Sequence, residues 1–309
     1  MQNFIRKISV WTAALLVLLS LGLVPAAGRE VKIDYRGFEL IGELEIVPGK
    51  SLQKQGVFLI LHDVMSHLDG QPVAELRSSL LAQGFNVLAV NLSLGLDGRK
   101  GRFDCAVEQD HRFTYALPEI HAWVKWLQSR KTSKITLLGV GLGGNQMALY
   151  GTKTTQKEVR SLILLGPRQS LEQLARLQYQ QQYGKALADI LFDAQAQISS
   201  LSGGTLLEKT GFFDCQQARV SARSFLSYYG ENTDFSLSKL IAVLKKPILV
   251  IAGESGDDSA NLLAAMQQSS ARPNLRLEII ETADARFGGA FLKRVVERIK
   301  VFRDDTKRQ

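Results

Sequence analysis

Lys134–Tyr150 reads KITLLGVGLGGNQMALY, and this stretch decides the fold. Its first part, Lys134–Leu138, reads as a strand. Asn145–Tyr150 has helical character. Between them Gly139-Val140-Gly141-Leu142-Gly143-Gly144 must turn the chain sharply from strand to helix. Glycine is the residue that enters such a turn without steric strain.

Working outward, the same alternation recurs. Val57–Leu61, Phe85–Val90, Val159–Leu165, Pro247–Ala252 and Leu275–Ile280 read as further strands. Val73–Gln83, Tyr115–Leu127, Leu237–Leu244, Ala260–Gln268 and Gly288–Phe302 read as helices. Before them, Val31–Tyr35 and Phe38–Val47 alternate polar and apolar residues around Arg36-Gly37, which predicts an antiparallel hairpin. Strands alternating with helices after an antiparallel start imply an α/β fold, a doubly wound and mostly parallel sheet with helices on both faces. Residues 168–232 interrupt the alternation. Their Gln, Ala and Leu content predicts a helical cap insertion, broken at Ser202-Gly203-Gly204.

The glycine turn has two chemical readings. Gly139, Gly141 and Gly144 fit G-x-G-x-x-G, in which a pyrophosphate approaches a helix N-terminus. The turn lies in mid-chain, however, and the following strand ends at Leu165-Gly166-Pro167 with no acid to hold a ribose, although Arg168 would suit a 2′-phosphate. No cofactor is expected. The other reading is the nucleophile elbow, G-x-S-x-G, with Gly141 in the serine's place.

On the second reading the chain resembles the α/β-hydrolase superfamily over nearly all of residues 29–309. His62-Asp63, after the third strand, is similar to the family's His-Gly at the oxyanion loop. Asp257 or Asp258 falls where the family puts its acid. Ala283-Asp284-Ala285-Arg286-Phe287 is similar to Ala-Asp-His-x-Phe, so that Ala285 holds the histidine's place, 28 residues after Asp257. Acyl transfer needs a nucleophile and a base, and glycine and alanine supply neither. The resemblance therefore implies a cleft around His62, Asp63, Val64, Gly141 and Leu142 that binds a ligand without turning it over. Backbone N–H groups near Val64 and Leu142 would form the oxyanion pocket. The alternative is a hydrolase of ester-like bonds that uses a water activated by His62 beside Asp63, with His67 and His111 reaching in from above. Ser255 lacks elbow geometry. His121, Trp123 and Trp126 share one helix and are expected to be structural.

The N-terminus points to export. Arg6 and Lys7 precede Ile8–Val24, a stretch without a charged residue, and Pro25-Ala26-Ala27-Gly28 follows. This is a signal peptide over residues 1–28, cleaved after Ala26 or Gly28, or else an uncleaved anchor. The destination would be the periplasm or the outside of the cell. The two cysteines, Cys105 and Cys215, lie in similar strings, Arg102-Phe103-Asp104-Cys105 and Phe212-Phe213-Asp214-Cys215. In an oxidising compartment they are expected to pair, the alternative being two unrelated buried thiols. No His or Cys pair has metal-ligand spacing.

The net charge of the whole chain is +8, and basic residues gather at the C-terminus: Lys293, Arg294, Arg298, Lys300, Arg303, Lys307 and Arg308. Acids and apolar residues interleave with them, which reads as the outer face of one amphipathic helix. It is too sparse for nucleic acid and implies at most a weak attraction to an anionic membrane surface. The partner is expected to be a small molecule or an envelope protein.

Overall fold

The computed structural model describes residues 28–231, 235–254, 259–267, 272–281, 287 and 289–307. The leader, Asp257, Asp258, Ser255 and Ala285 lie outside the described residues, Gly28 excepted. Ten strands are present among them: β1 Arg29–Tyr35, β2 Phe38–Glu45, β3 Val57–Leu61, β4 Val87–Val90, β5 Ile135–Val140, β6 Val159–Leu165, β7 Leu206–Phe212, β8 Cys215–Ser221, β9 Ile248–Gly253 and β10 Leu275–Ile280. Eight form one sheet in the order β1-β2-β4-β3-β5-β6-β9-β10. The β1–β2 and β2–β4 pairings are antiparallel and the remainder parallel. The opening hairpin turns through Arg36 and Gly37, both at positive φ, which suits a tight two-residue connection.

The α-helices are α1 Leu52–Gln55, α2 Val73–Ala82, α3 Ala116–Ser129, α4 Leu142–Lys153, α5 Leu171–Tyr183, α6 Leu187–Ser199, α7 Ala222–Tyr229, α8 Leu237–Val243, α9 Ser259–Gln267 and α10 Ala290–Lys307. Helices α2 and α10 cover one face of the sheet through Leu76, Leu80, Val295 and Ile299. Helices α3, α4 and α8 cover the other through Ile120, Trp123, Met147 and Ile241. Strand β3 is buried at every position because both faces are covered, so its sequence is continuously apolar. Trp123 is fully buried in the core. Arg303 departs from the expected solvated basic face. It is buried, donates to the Gln55 carbonyl at 3.0 Å, and lies over the rings of Phe58 and Phe85 at 5.5 and 5.8 Å. Its aliphatic stem and weakly hydrated guanidinium pack there as an apolar side chain would.

Two findings concern the cap. It is not purely helical: strands β7 and β8 form an antiparallel hairpin between α6 and α7. And Cys105 is bonded to Cys215, with Cα atoms 5.5 Å apart, so the hairpin turn is fixed to the loop that follows β4. That loop runs on as a strap along the hairpin. Gln109 donates its N–H to Arg219 O at 2.8 Å and accepts from Ser221 N at 2.9 Å, while Asp110 accepts from Ser221 Oγ and Arg223 Nε at 2.5 and 2.6 Å. Among the described residues no helix is long and apolar enough to cross a membrane.

Candidate functional site

The elbow is built from backbone contacts that exclude side chains. A Cβ on Gly139 would overlap Gly143 and Gly144, and a Cβ on Gly143 would overlap the carbonyl of His62. Glycine at these two positions is thus a packing requirement of the turn. Gly141 stands at φ 56°, ψ −130°, a conformation that strains any residue with a Cβ. Its N–H donates to Leu165 O at 2.9 Å, and its carbonyl accepts from Gly144 N at 2.9 Å. What a side chain at Gly141 would meet is different in kind: the Cγ and Oδ2 of Asp63.

Asp63 is half-buried, and its carboxylate fills the space where an elbow presents its nucleophile. Oδ1 accepts two backbone N–H bonds, from Val64 at 2.8 Å and from Leu142, the first residue of α4, at 2.9 Å. These two donors have the geometry of an oxyanion hole, one from the loop after β3 and one from the residue after the elbow. Here a side chain of the protein itself occupies them. Burial pushes the Asp63 carboxyl above its ordinary value, against the opposing pull of Arg168 and of the two amides.

Above Asp63 lies an open pocket of about 180 Å³. Its floor is Asp63, Val64 and Leu142, and its walls come from the cap, chiefly Arg168, Gln178, Tyr183 and Phe213. The cap residues reach this position because the hairpin turn Phe213-Asp214 immediately precedes the disulfide at Cys215.

No family model and no curated protein matches the sequence. Solved structures do. Est1E from Butyrivibrio proteoclasticus with bound ferulic acid superposes with a TM-score of 0.66 at 17% identity, covering 90% of this chain and 100% of that one. The α/β hydrolase GrgF from Penicillium sp. sh18 gives a TM-score of 0.63 at 15% identity over 91% and 98% of the two chains. The monoacylglycerol lipase of Paleococcus ferrophilus gives 0.60 at 16% identity over 86% and 100%. This is the α/β-hydrolase fold. At these identities the likeness carries the fold alone.

Within this α/β-hydrolase fold, His62 does not line the pocket. It is 1% exposed and lies behind the oxyanion loop. Nε2 faces the guanidinium of Arg99 at 3.0 Å and Leu92 N at 3.4 Å, both of which can only donate. Nε2 is therefore the acceptor, and Nδ1 carries the proton that it donates to Asp63 O at 2.6 Å. Both ring nitrogens are committed, and burial together with the Arg99 charge holds the imidazole down at about 3. A water-activating base needs a free lone pair, which His62 does not have.

Arg99 is itself fixed by donating to the carbonyls of Leu92, Ser66 and Gly101 at 2.6, 2.9 and 2.7 Å. This buried network holds the backbone at Asp63 and so aims its carboxylate.

The other histidines are also structural in their contacts. His111 is buried against Phe103 and Phe212, with Nδ1 2.9 Å from Tyr228 Oη, and His67 does not line the pocket. His121 sits on α3, 3.1 Å from Tyr150 Oη. The residues named from sequence thus divide: Asp63, Val64 and Leu142 meet in the pocket, Gly141 lies directly under Asp63, and His62 stands behind. Among the described residues no group of three His, Cys, Asp or Glu side chains could hold a metal ion.

The cap walls were missed by sequence reasoning. Arg168 carries a signal, as a basic residue just after β6, but that signal points only to a nucleotide phosphate.

Proposed function

We propose that the protein is an exported, non-catalytic member of the hydrolase fold that binds a small molecule through the former substrate cleft. The observation that carries this reading is the Asp63 carboxylate, seated on both oxyanion-hole donors and against the Cα of Gly141. A tetrahedral intermediate would have no donors left for its oxygen, and the elbow offers no atom to attack with. The sequence adds Ala285 at the histidine's place, with Asp257 or Asp258 as a retained acid. The alternative, a water activated by His62, finds no support in a ring whose two nitrogens are both engaged.

Export rests on the charge-free Ile8–Val24 stretch with its small-residue exit, and is supported by a disulfide that oxidising compartments favour. A loose electrostatic association with an anionic membrane through the exposed cations of α10 is part of the same proposal.

Hydrolysis of short-chain nitrophenyl esters by the purified protein tests the reading. The expected result is nitrophenol release no faster than in the protein-free blank. Saturable turnover at enzymatic rates would overturn it.

A further inference from the structure

Two opposite charges face one small pocket, and each retains unused hydrogen-bonding capacity. Asp63 commits Oδ1 to the amides of Val64 and Leu142, and among the described residues Oδ2 has no hydrogen-bond partner. Arg168 is pinned through its backbone. Its N–H donates to Asn145 Oδ1 at 2.9 Å, and its carbonyl accepts from Asn145 Nδ2 at 2.7 Å. Asn145 is buried on α4, so Arg168 is presented from a fixed point at the pocket wall. Its guanidinium, with five donors, has no hydrogen-bond or ion-pair partner among the described residues. The third charge at the rim, Asp214, is already paired with Arg102 at 2.5 Å.

We infer that this pocket binds a small zwitterion, a free α-amino acid, with its ammonium on Asp63 Oδ2 and its carboxylate on Arg168. The inference rests on the reading of the cleft as a binding site. A monoanion would meet Arg168 but lie beside the Asp63 carboxylate, and a monocation would suffer the reverse. Only a ligand carrying both charges satisfies both groups. A carboxylate also fits the planar fork of arginine, through two parallel bonds. Burial disfavours the charge on Asp63. Arg168 and the two amides offset that burial only in part, and an incoming ammonium adds a second counter-charge at Oδ2.

Size and lining narrow the class. A volume of about 180 Å³ accommodates an amino acid at the floor of the pocket. Tyr183 and Phe213 supply apolar wall for the side chain, with the Tyr183 hydroxyl turned away onto the Phe213 carbonyl.

Titration calorimetry with L-leucine and L-phenylalanine, beside their deaminated and decarboxylated analogues, tests this on the intact protein. The amino acids are expected to bind at least tenfold more tightly than any single-charge analogue. Asp63→Asn keeps an oxygen for the two amides and replaces the charged Oδ2 acceptor with an NH2 donor, whereas Arg168→Gln removes the fork. Each should weaken binding tenfold or more, with melting temperature and near-ultraviolet circular dichroism retained.

A carboxylate analogue that binds as well as its amino acid would overturn the zwitterion, as would amino-acid affinity unchanged in Asp63→Asn or the absence of binding by every probe. None of these outcomes would restore catalysis. Ester turnover by the wild type is the separate result that would remove the underlying reading, so the two failures are distinguishable.

Discussion

Gly141→Ser, the change that would rebuild a nucleophile, is expected to destabilise the protein by about 2–4 kcal/mol, and Asp63→Gly to abolish about half of that penalty. Two effects add in the single mutant. Any Cβ at φ 56°, ψ −130° is strained, which accounts for about 1–3 kcal/mol. The new side chain also overlaps Asp63 Cγ and Oδ2, so the carboxylate must leave the amides of Val64 and Leu142. Charge-assisted bonds of this type are worth about 1.5–3 kcal/mol each, offset by the relief of taking a half-buried carboxylate back to water. In an Asp63→Gly background only the backbone strain remains. The check is a double-mutant cycle by urea denaturation. A coupling of about 1–2 kcal/mol, with the double mutant more stable than additivity allows, is the expected outcome. Additive effects would mean that the two residues do not compete for one space.

Loss of the disulfide should produce the largest change in stability. Cys105 and Cys215 are 110 residues apart, and a closed loop of that size corresponds to about 4.7 kcal/mol in the chain-entropy model. Removing a native bridge typically destabilises by about 2–5 kcal/mol, and the Cys105→Ser, Cys215→Ser protein should fall within that range. The remaining ties between strap and cap do not replace it. The Arg102–Asp214 pair is 61% exposed on both sides, and exposed pairs contribute little.

The bridge also sits next to Phe213 and Asp214 at the pocket wall, so the loss should loosen the cap before the sheet unfolds. Urea unfolding read by circular dichroism, with proteolysis of the native state as a second probe, measures both. Cleavage within residues 200–221 ahead of global unfolding is expected. A double mutant as stable and as protease-resistant as the wild type would show that packing and the hydrogen bonds of Gln109 and Asp110 hold the cap without the bridge.

The contrast between sheet and cap shows what a sequence carries. Val57–Leu61 and Leu162–Leu165 are buried on both faces of a parallel sheet, so the solvent-exclusion requirement is written directly as an apolar run. Strand β7, LLEKTGF, places Glu208 and Lys209 together, and its register to β8 shifts on either side of Thr210. Period-two alternation is lost at such irregularities, and the hairpin takes its place from Cys215 and the strap, which are remote in sequence.

The site divides in the same way. Gly141 was legible because the turn imposes its backbone angles locally. The role of Asp63 was not, because it arises where a side chain meets the amide of Leu142 across 79 residues. The one local trace was an aspartate where the resemblance leads one to expect glycine. For His62 the sequence leaves two roles, a hydrogen bond within the turn, which is the preferred one, and a water-activating base; the guanidinium of Arg99, 37 residues away, takes the acceptor nitrogen that the second role needs.

The central claim, that the Asp63 carboxylate sits on the amides of Val64 and Leu142, the pair the proposed function takes as an oxyanion hole, is tested most directly by following the ¹H and ¹⁵N shifts of those two amides against pH. The account predicts that the two amides titrate together, with one midpoint above the ordinary aspartate value of about 3.9 because burial disfavours the charged form. The same titration should vanish in Asp63→Asn. Amides that do not respond to pH, or that respond unchanged when Asp63 is replaced, would contradict it and leave the oxyanion hole open.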